Sequence, residues 1–215
     1  GEMTQALAAF DSVARTRGMQ AFGLYHKALA LAVAGDFEGA DAILSLPAEQ
    51  GMQRTRRAMI AHAQVLSQLG RNADALALLD AGFPGSPDPT LSALRARLVA
   101  GEVLPWSLVR DAAQGLAEVY YGVGVSTRGE SDNASVLFFA RVARALDPGH
   151  VDAQLLIGQT LEAMGQYDLA QGAYADVPPA DPARLMADLG RAQALQSGGQ
   201  PEVAVEVLTT LARDY

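Results

Sequence analysis

The amino-acid sequence predicts an all-α fold, on three observations. Half of the 215 residues are apolar, and Ala and Leu are the most frequent of them; both residues enter a helix at little cost. Runs of Val, Ile and Thr at period two, which half-buried strands require, are absent. The helical pattern also stops and restarts within a few residues, as in 158–174, where Gly165 and Gln166 interrupt it before Tyr167 resumes it. Such breaks indicate pairs of helices joined by tight turns.

The apolar periodicity and the helix breakers together predict twelve helices. Gly adopts a positive φ without a steric penalty, so it can end a helix in a left-handed cap. The expected helices span residues 3–17, 21–34, 37–46, 53–69, 72–81, 89–100, 110–128, 132–146, 150–164, 167–177, 182–197 and 201–213.

The first part of the chain contains a repeated frame. At a shift of 35 residues, Gly35 aligns with Gly70 and Ala40 aligns with Ala75. Each Gly ends a first helix and is followed by a second one. Residues 21–82 are therefore expected to form two complete helix pairs.

Residues 83–133 depart from this frame. The stretch 83–90 contains three prolines and is expected to be a loop. Pro105 would remove a backbone donor and clash inside a helix, so the pair that begins with 89–100 is expected to lack its second helix. Gly129 lies in a polar turn that separates the next two helices.

Residues 134–215 return to a regular frame. At a shift of 34 residues, Gly165 aligns with Gly199 and Ala170 aligns with Ala204. A fixed spacing in this range is the sequence signature of a helical repeat. We expect this part of the chain to consist of regular repeats.

These spacings resemble the tetratricopeptide repeat family, whose unit is about 34 residues long. That family places a small residue at its eighth position, Gly at its fifteenth and Ala at its twentieth. Four repeats, starting at 21, 56, 151 and 185, carry the matching residues in this order: Ala28, Gly35, Ala40; Ala63, Gly70, Ala75; Gly158, Gly165, Ala170; and Ala192, Gly199, Ala204.

The resemblance implies an all-α right-handed solenoid (an alpha-alpha superhelix) of about six helix pairs. It implies one array over residues 1–215, irregular near 83–133. Residues 1–17 would be the second helix of a truncated repeat, with Ala6 and Phe10 at its Ala and aromatic positions. The chain also resembles the central part of long alphaproteobacterial tetratricopeptide proteins, which implies a lean to the bacterial periplasm.

First helices of successive repeats line a concave groove in this family, which implies a protein-binding site here. The ninth position holds Gln64, Gln159 and Gln193 in three repeats. A Gln amide both donates and accepts hydrogen bonds, so such a row can pair with an extended peptide backbone; equally, Gln is a good polar residue for an exposed helix face. The expected groove residues at the fifth and ninth positions are Tyr25, Leu29, Ile60, Gln64, Tyr121, Leu155, Gln159 and Gln193.

Composition and motifs exclude several other functions. The net charge of −8 repels a phosphate backbone, and no apolar run approaches the ~18 residues of a membrane span. There is no Cys, no His pair at helical spacing for a metal, and no nucleophile elbow or phosphate loop. We expect a non-catalytic scaffold with a protein or peptide partner, no nucleic acid, no membrane insertion, no metal and no cofactor.

Three features permit two interpretations each. His26, His62 and His150 are expected to be surface or cap residues rather than ligands. The run 54–57, Arg-Thr-Arg-Arg, either captures an acidic partner or, as we favour, pairs with carboxylates of this chain. Trp106 either faces a partner as a hot spot or, as we favour, covers the gap left by the missing helix.

A second functional hypothesis is architectural. The last helix leaves four apolar residues without a neighbour to cover them, Val203, Val207, Leu208 and Leu211, and solenoid ends normally need a polar cap. The chain would then assemble with itself, as a homodimer through its terminal helices, or with the rest of a larger protein. Because Gly1 stands where an initiator Met would and the chain opens inside a helix, we expect a piece of a longer protein.

Overall fold

The computed structural model of the chain describes residues 2–85 and 87–214, apart from the side chain of Asp214; expectations at Gly1, Ser86 and Tyr215 lie outside it. The described residues form twelve α-helices and no strand, as predicted. The helices are α1 Glu2–Ala14, α2 Gln20–Val33, α3 Phe37–Leu44, α4 Arg56–Gln68, α5 Asn72–Gly82, α6 Pro89–Val99, α7 Ala112–Ser126, α8 Asn133–Leu146, α9 Val151–Ala163, α10 Tyr167–Ala175, α11 Arg184–Ser197 and α12 Pro201–Asp214.

The described residues fall into two compact units. Unit 1 extends to Gly115 and contains α1 to α6 with the first turn of α7. Unit 2 begins at Leu116 and contains the rest of α7 with α8 to α12. A single right-handed array over residues 1–215 stays a prediction.

Tight glycine turns join the helices of each regular pair, as expected. Gly35, Gly70, Gly165 and Gly199 have φ values of 82°, 73°, 70° and 81°. After each of them the next amide reaches back five residues to a helix carbonyl, at 2.9 Å in all four turns. This bond, together with the one made by the Gly amide, satisfies carbonyls that the helix end would leave unpaired. The tetratricopeptide-like helical hairpin is thus confirmed in its local geometry.

Small residues lie where the helices cross, also as expected. Ala28, Ala40, Ala63, Ala75 and Ala170 are all completely buried. Unit 2 shows how close the approach is. A Cβ added at Gly158 of α9 or at Gly190 of α11 would lie 2.5 Å from the Tyr174 ring of α10. The ring therefore fills a slot that only glycines leave open.

Side-chain caps determine where several helices begin. Asp36, Thr55, Asp88 and Asp132 each accept a hydrogen bond from the amide three residues later, which satisfies a free helix donor. Asp88 also receives the guanidinium of Arg56, with Nε 2.5 Å from its Oδ2. For Arg56, this pairing confirms the favoured interpretation of the basic run.

The irregular centre follows the prediction. α6 ends in the same glycine turn as the regular first helices, with Gly101 at φ 77°. No second helix follows it, and residues 102–111 have no helical structure until α7 begins. A short 3-10 turn at Ala48–Gln50, which lies between α3 and α4, was not predicted.

Candidate protein-binding site

An extended segment takes the place of the missing second helix in unit 1. We call residues 102–109 the strap. From Val103 to Leu108 its side chains alternate between two sides, as those of an extended chain do. Leu104 is 0% exposed and Trp106 and Leu108 are half-buried, whereas Val103, Pro105 and Ser107 face solvent.

Side chains of α4 and α5 hold the main chain of the strap. Ser67 Oγ accepts the amide of Leu104 at 2.8 Å, and Gln68 Nε2 donates to the Leu104 carbonyl at 2.6 Å. At the other end of this stretch, Gln64 binds Ser107 twice: its Oε1 accepts the Ser107 amide at 3.0 Å and its Nε2 donates to the Ser107 hydroxyl at 3.1 Å.

The strap runs antiparallel to α4. Asn72, in the first turn of α5, donates from Nδ2 to the Glu102 carbonyl at 2.9 Å. Residue numbers therefore increase along the strap in the direction in which they decrease along the helices beneath it. The backbone of an α-helix is already fully bonded within the helix. Only its side chains can therefore serve an extended segment, and Gln64, Ser67 and Gln68 form one stripe at spacings that share a helix face.

Apolar burial accompanies these bonds. Leu104 packs with the apolar core that α4, α5 and α6 share. Val109, at 2% exposure, joins the core of α2, α3 and α4, against which Trp106 also packs. Trp106 Nε1 donates to the Val109 carbonyl at 2.5 Å, so this side chain covers the gap as favoured and closes the end of the strap.

The structure distributes the four predicted groove residues of unit 1 unevenly. Gln64 is buried, 5% exposed, because the strap covers it. Leu29 and Ile60 are buried in the two apolar cores of unit 1. Tyr25 is half-buried, with its ring edge-on to His26 at 5.1 Å. Of these four, Gln64 hydrogen-bonds the strap, whereas Leu29 and Ile60 share apolar cores with Val109 and Leu104 of the strap.

The four predicted groove residues of unit 2 are more accessible. Tyr121, Leu155 and Gln159 are half-buried, and Gln193 is exposed. Gln159 Oε1 accepts from Arg128 Nη1 at 2.8 Å, and Gln193 Nε2 donates to Ser197 Oγ at 3.2 Å. Among the described residues of unit 2, no extended segment is bonded to these amides.

Sequence reasoning did not identify two of the strap-binding side chains, Gln68 and Asn72, whereas Ser67 stands at a twelfth repeat position, which faces the groove in the family that the sequence resembles. Asn72 carried a signal, since it stands at the seventeenth position of its repeat, where the tetratricopeptide pattern has an aromatic residue. An amide in that place, next to a repeat that lacks its second helix, indicates a polar contact that replaces an apolar one. Gln68 carried no local signal of its own.

A Ser–His–Asp cluster occurs in unit 1, and its geometry differs from that of a hydrolase triad. His62 Nε2 lies 2.7 Å from Asp41 Oδ1 and 3.4 Å from Ser45 Oγ. In a triad the base uses one ring nitrogen for the serine and the other for the carboxylate. Here both partners share Nε2, so no proton relay from serine to carboxylate is formed.

The pKa shifts of His62 and Asp41 indicate that this cluster stabilises the fold. Burial lowers the pKa of His62 below its usual value and outweighs the opposing effect of its hydrogen bond to the Asp41 carboxylate. Burial alone would raise the pKa of Asp41, but hydrogen bonds from His62, Ser45 and Arg71 lower it overall. A carboxylate shared by α3, α4 and the turn before α5 therefore joins these elements.

The other two histidines are also buried. His150 caps α9, because its Nδ1 accepts the Ala153 amide at 3.1 Å, while its Nε2 lies 3.2 Å from Glu118 Oε2. His26 packs 4.4 Å from the Phe22 ring. The prediction of a cap is confirmed for His150. The prediction of surface positions is wrong for His26 and His62, because neighbouring helices cover them.

The described residues have neither a cluster of metal-ligand side chains nor a helix that could cross a membrane. No group of three His, Asp or Glu side chains there is arranged to hold a metal ion. Within residues 2–85 and 87–214, every helix is too short or too polar to span a bilayer.

Several solved structures are similar to the chain, among them two of MamA and one of YrrB. The crystal structure of MamA protein has 16% identity and a TM-score of 0.44, covering 98% of this chain and 92% of that one. A second crystal structure of MamA has 18% identity and a TM-score of 0.43, covering 86% and 92%. YrrB, described as a TPR protein with an unusual peptide-binding site, has 16% identity and a TM-score of 0.42, covering 94% and 90%.

No protein-family model matches the chain, and no curated protein sequence does either. At TM-scores below 0.5, the three structural likenesses carry no functional conclusion. Function must therefore follow from the contacts within the chain.

Proposed function

We propose that this protein is a non-catalytic scaffold that holds an extended segment of another protein on first helices of unit 2. The groove residues concerned are Tyr121, Leu155, Gln159 and Gln193. One observation supports the proposal most strongly: in unit 1, the side chains of the equivalent helix already hold an extended main chain through Gln64.

Repeat position links the two units. The ninth repeat position is occupied by Gln in three cases, Gln64, Gln159 and Gln193. The side-chain amide of Gln64 accepts a hydrogen bond from one N–H of the strap and donates one to a strap oxygen. A segment in unit 2 would use the amides of Gln159 and Gln193 in the same way, since an amide matches the donors and acceptors of any peptide backbone.

The polar stripe of α4 has a counterpart on α11. Positions nine, twelve and thirteen hold Gln64, Ser67 and Gln68 on α4. On α11 the same positions hold Gln193, Gln196 and Ser197, the same two residue types with the last two exchanged.

Apolar side chains lie beside this α11 stripe. Leu189, one turn before Gln193, is 41% exposed, and Leu155 of the neighbouring α9 is half-buried. An extended segment with apolar residues at alternate positions would cover these side chains while its main chain meets the amides. Such a match of buried apolar contacts and main-chain bonds is how extended peptides are generally recognised.

Peptide selection tests this function. Random ten-residue peptides are selected against the full chain, and their affinities are then measured for the Gln159→Ala/Gln193→Ala variant. We expect at least a tenfold weaker binding by that variant, because each lost amide bond contributes about 1 kcal/mol. Gln171→Ala on α10 is the matched control and should bind like the wild type. Equal affinity for the double variant and the wild type would refute the assignment of this face.

Self-association is the second candidate function. On α12 the apolar residues Val205 and Leu208 are 60% and 43% exposed. Contiguous exposed apolar surface is typical of an association site. Sedimentation equilibrium should then show a mass that rises with protein concentration and returns to the monomer in Val205→Glu. A monomer at all concentrations would exclude this alternative.

A further inference from the structure

The α4 face in unit 1 has the composition of a ligand site. It combines a polar stripe, Gln64, Ser67 and Gln68, with apolar core on both sides of it. Four side chains of α4 and α5 bond main-chain atoms of the strap, namely Ser67, Gln68, Gln64 and Asn72. Main-chain bonds recognise the extended conformation rather than a particular sequence.

We propose that the α4 face is a ligand site for an extended protein segment with apolar side chains at alternate positions. The strap is its resident occupant, and a segment of the same pattern from a partner protein can replace it. This site is separate from the one proposed in unit 2 and holds whether or not the unit 2 face binds a partner.

The position of the strap makes replacement possible. Val103 and Pro105 face solvent, so the outer side of the strap is open there. The bonds that attach it come from side chains, whereas the helices beneath are held by their own backbone bonds and glycine turns. The strap can therefore leave the surface without the unwinding of α4 or α5.

The ligand class follows from the side chains that the strap buries. Leu104 is fully buried, Trp106 is half-buried, and Val109 is nearly buried at the far end. A competing segment needs a branched apolar residue for the Leu104 position and an aromatic residue two positions later. A charged residue in place of Leu104 would be excluded, because a carboxylate in an apolar site without a partner is very costly.

Tethering explains why the site is closed in the intact chain. A short tether gives its segment an effective concentration in the millimolar range. A free segment of equal intrinsic affinity must therefore reach ~1 mM before it displaces the strap. Weakening the strap should open the site to a much lower concentration of competitor.

The host for the test is the full chain with Leu104→Ala and Trp106→Ala, and the probe is a blocked peptide with the sequence 101–110. Trp106 is the only tryptophan of the chain, so all tryptophan emission then comes from the peptide. We expect a blue shift and a saturable titration with this variant. Calorimetry, which is independent of Trp106, should show at least about 100-fold weaker binding to the wild type, whose strap is intact.

Two matched controls show whether the peptide occupies the α4 face. A peptide carrying Leu104→Asp should bind at least about 100-fold more weakly, because it loses a buried Leu and adds a charge. Adding Gln68→Ala to the host should weaken the native peptide about tenfold, because one main-chain bond is lost.

Folding of the host is monitored by its helical circular dichroism. If the double variant does not fold, Trp106→Ala alone serves as the host, since that side chain is only half-buried. A folded host that shows no saturable binding would overturn the proposal. So would equal binding of the native and Leu104→Asp peptides.

Discussion

Substitution Ser67→Ala tests the attachment of the strap at its most buried bond. The Ser67 hydroxyl accepts the Leu104 amide at 2.8 Å and donates to Asn72 Oδ1 at 2.7 Å. Ser67 and Leu104 are both 0% exposed, so water cannot replace the lost acceptor without moving the strap. A buried donor left without a partner costs about 1–3 kcal/mol. Asn72 can turn to solvent, so we expect a loss of about 2 kcal/mol in unfolding free energy.

Urea unfolding followed by tryptophan emission measures this loss. Trp106 is the only tryptophan and lies in the strap itself, so its signal reports on the element that the substitution releases. Ser92→Ala is the matched control, because Ser92 is exposed on α6; it should remain within about 0.5 kcal/mol of the wild type. A loss of less than 0.5 kcal/mol in Ser67→Ala would refute the reasoning.

Three further predictions concern the packing, the turns and the response to acid. Gly158→Ala should cost about 1–3 kcal/mol, because its Cβ would meet the Tyr174 ring. Gly172→Ala, with nothing within 4 Å, should be neutral or stabilising; equal unfolding curves for the two variants would contradict this. Gly70→Ala should cost about 1–2 kcal/mol in the same assay because φ is 73°, and an unchanged midpoint would show that the turn tolerates a side chain. Burial lowers the pKa of His62 below 6.5, so the unfolded chain takes up this proton first. The stability that neutral His62 contributes to the folded state should therefore be lost as the pH falls from 6.5 to below the folded-state pKa. His62→Gln should show a smaller fall over that range; an identical pH profile would contradict the pKa direction.

The helices could be predicted from the sequence because their signals are local. One can recognise a glycine that ends one helix, and the three or four residues that begin the next, without knowledge of the rest of the chain. Gly165 and Gly199 have the positive φ values that this reasoning requires. Pro105 likewise predicted the missing helix, since a proline acts on its own backbone.

The strap could be predicted only in parts. The sequence indicated that Trp106 covers a gap and that Gln64 can bind an extended backbone. Their common element, residues 102–109, was not predicted, because Gln64 and Ser107 are 43 positions apart in the chain. No local pattern encodes a contact of that range.

The repeat frame also could not predict which of the groove residues are exposed. Leu29 and Gln64 share the ninth repeat position with Gln193, yet the first two are buried and the third is exposed. The frame gives the helix face on which a residue lies. Neighbouring helices and the strap decide whether that face is covered, and those contacts depend on packing in three dimensions.

Amide hydrogen exchange in the strap tests the central claim most directly, namely that helix side chains hold an extended main chain. The Leu104 and Ser107 amides donate to Ser67 and Gln64, whereas the neighbouring Val103 has a 62% exposed side chain. We expect exchange at Leu104 and Ser107 to be at least about 100-fold slower than at Val103, as for amides in stable structure. Equal exchange at all three positions would contradict the account.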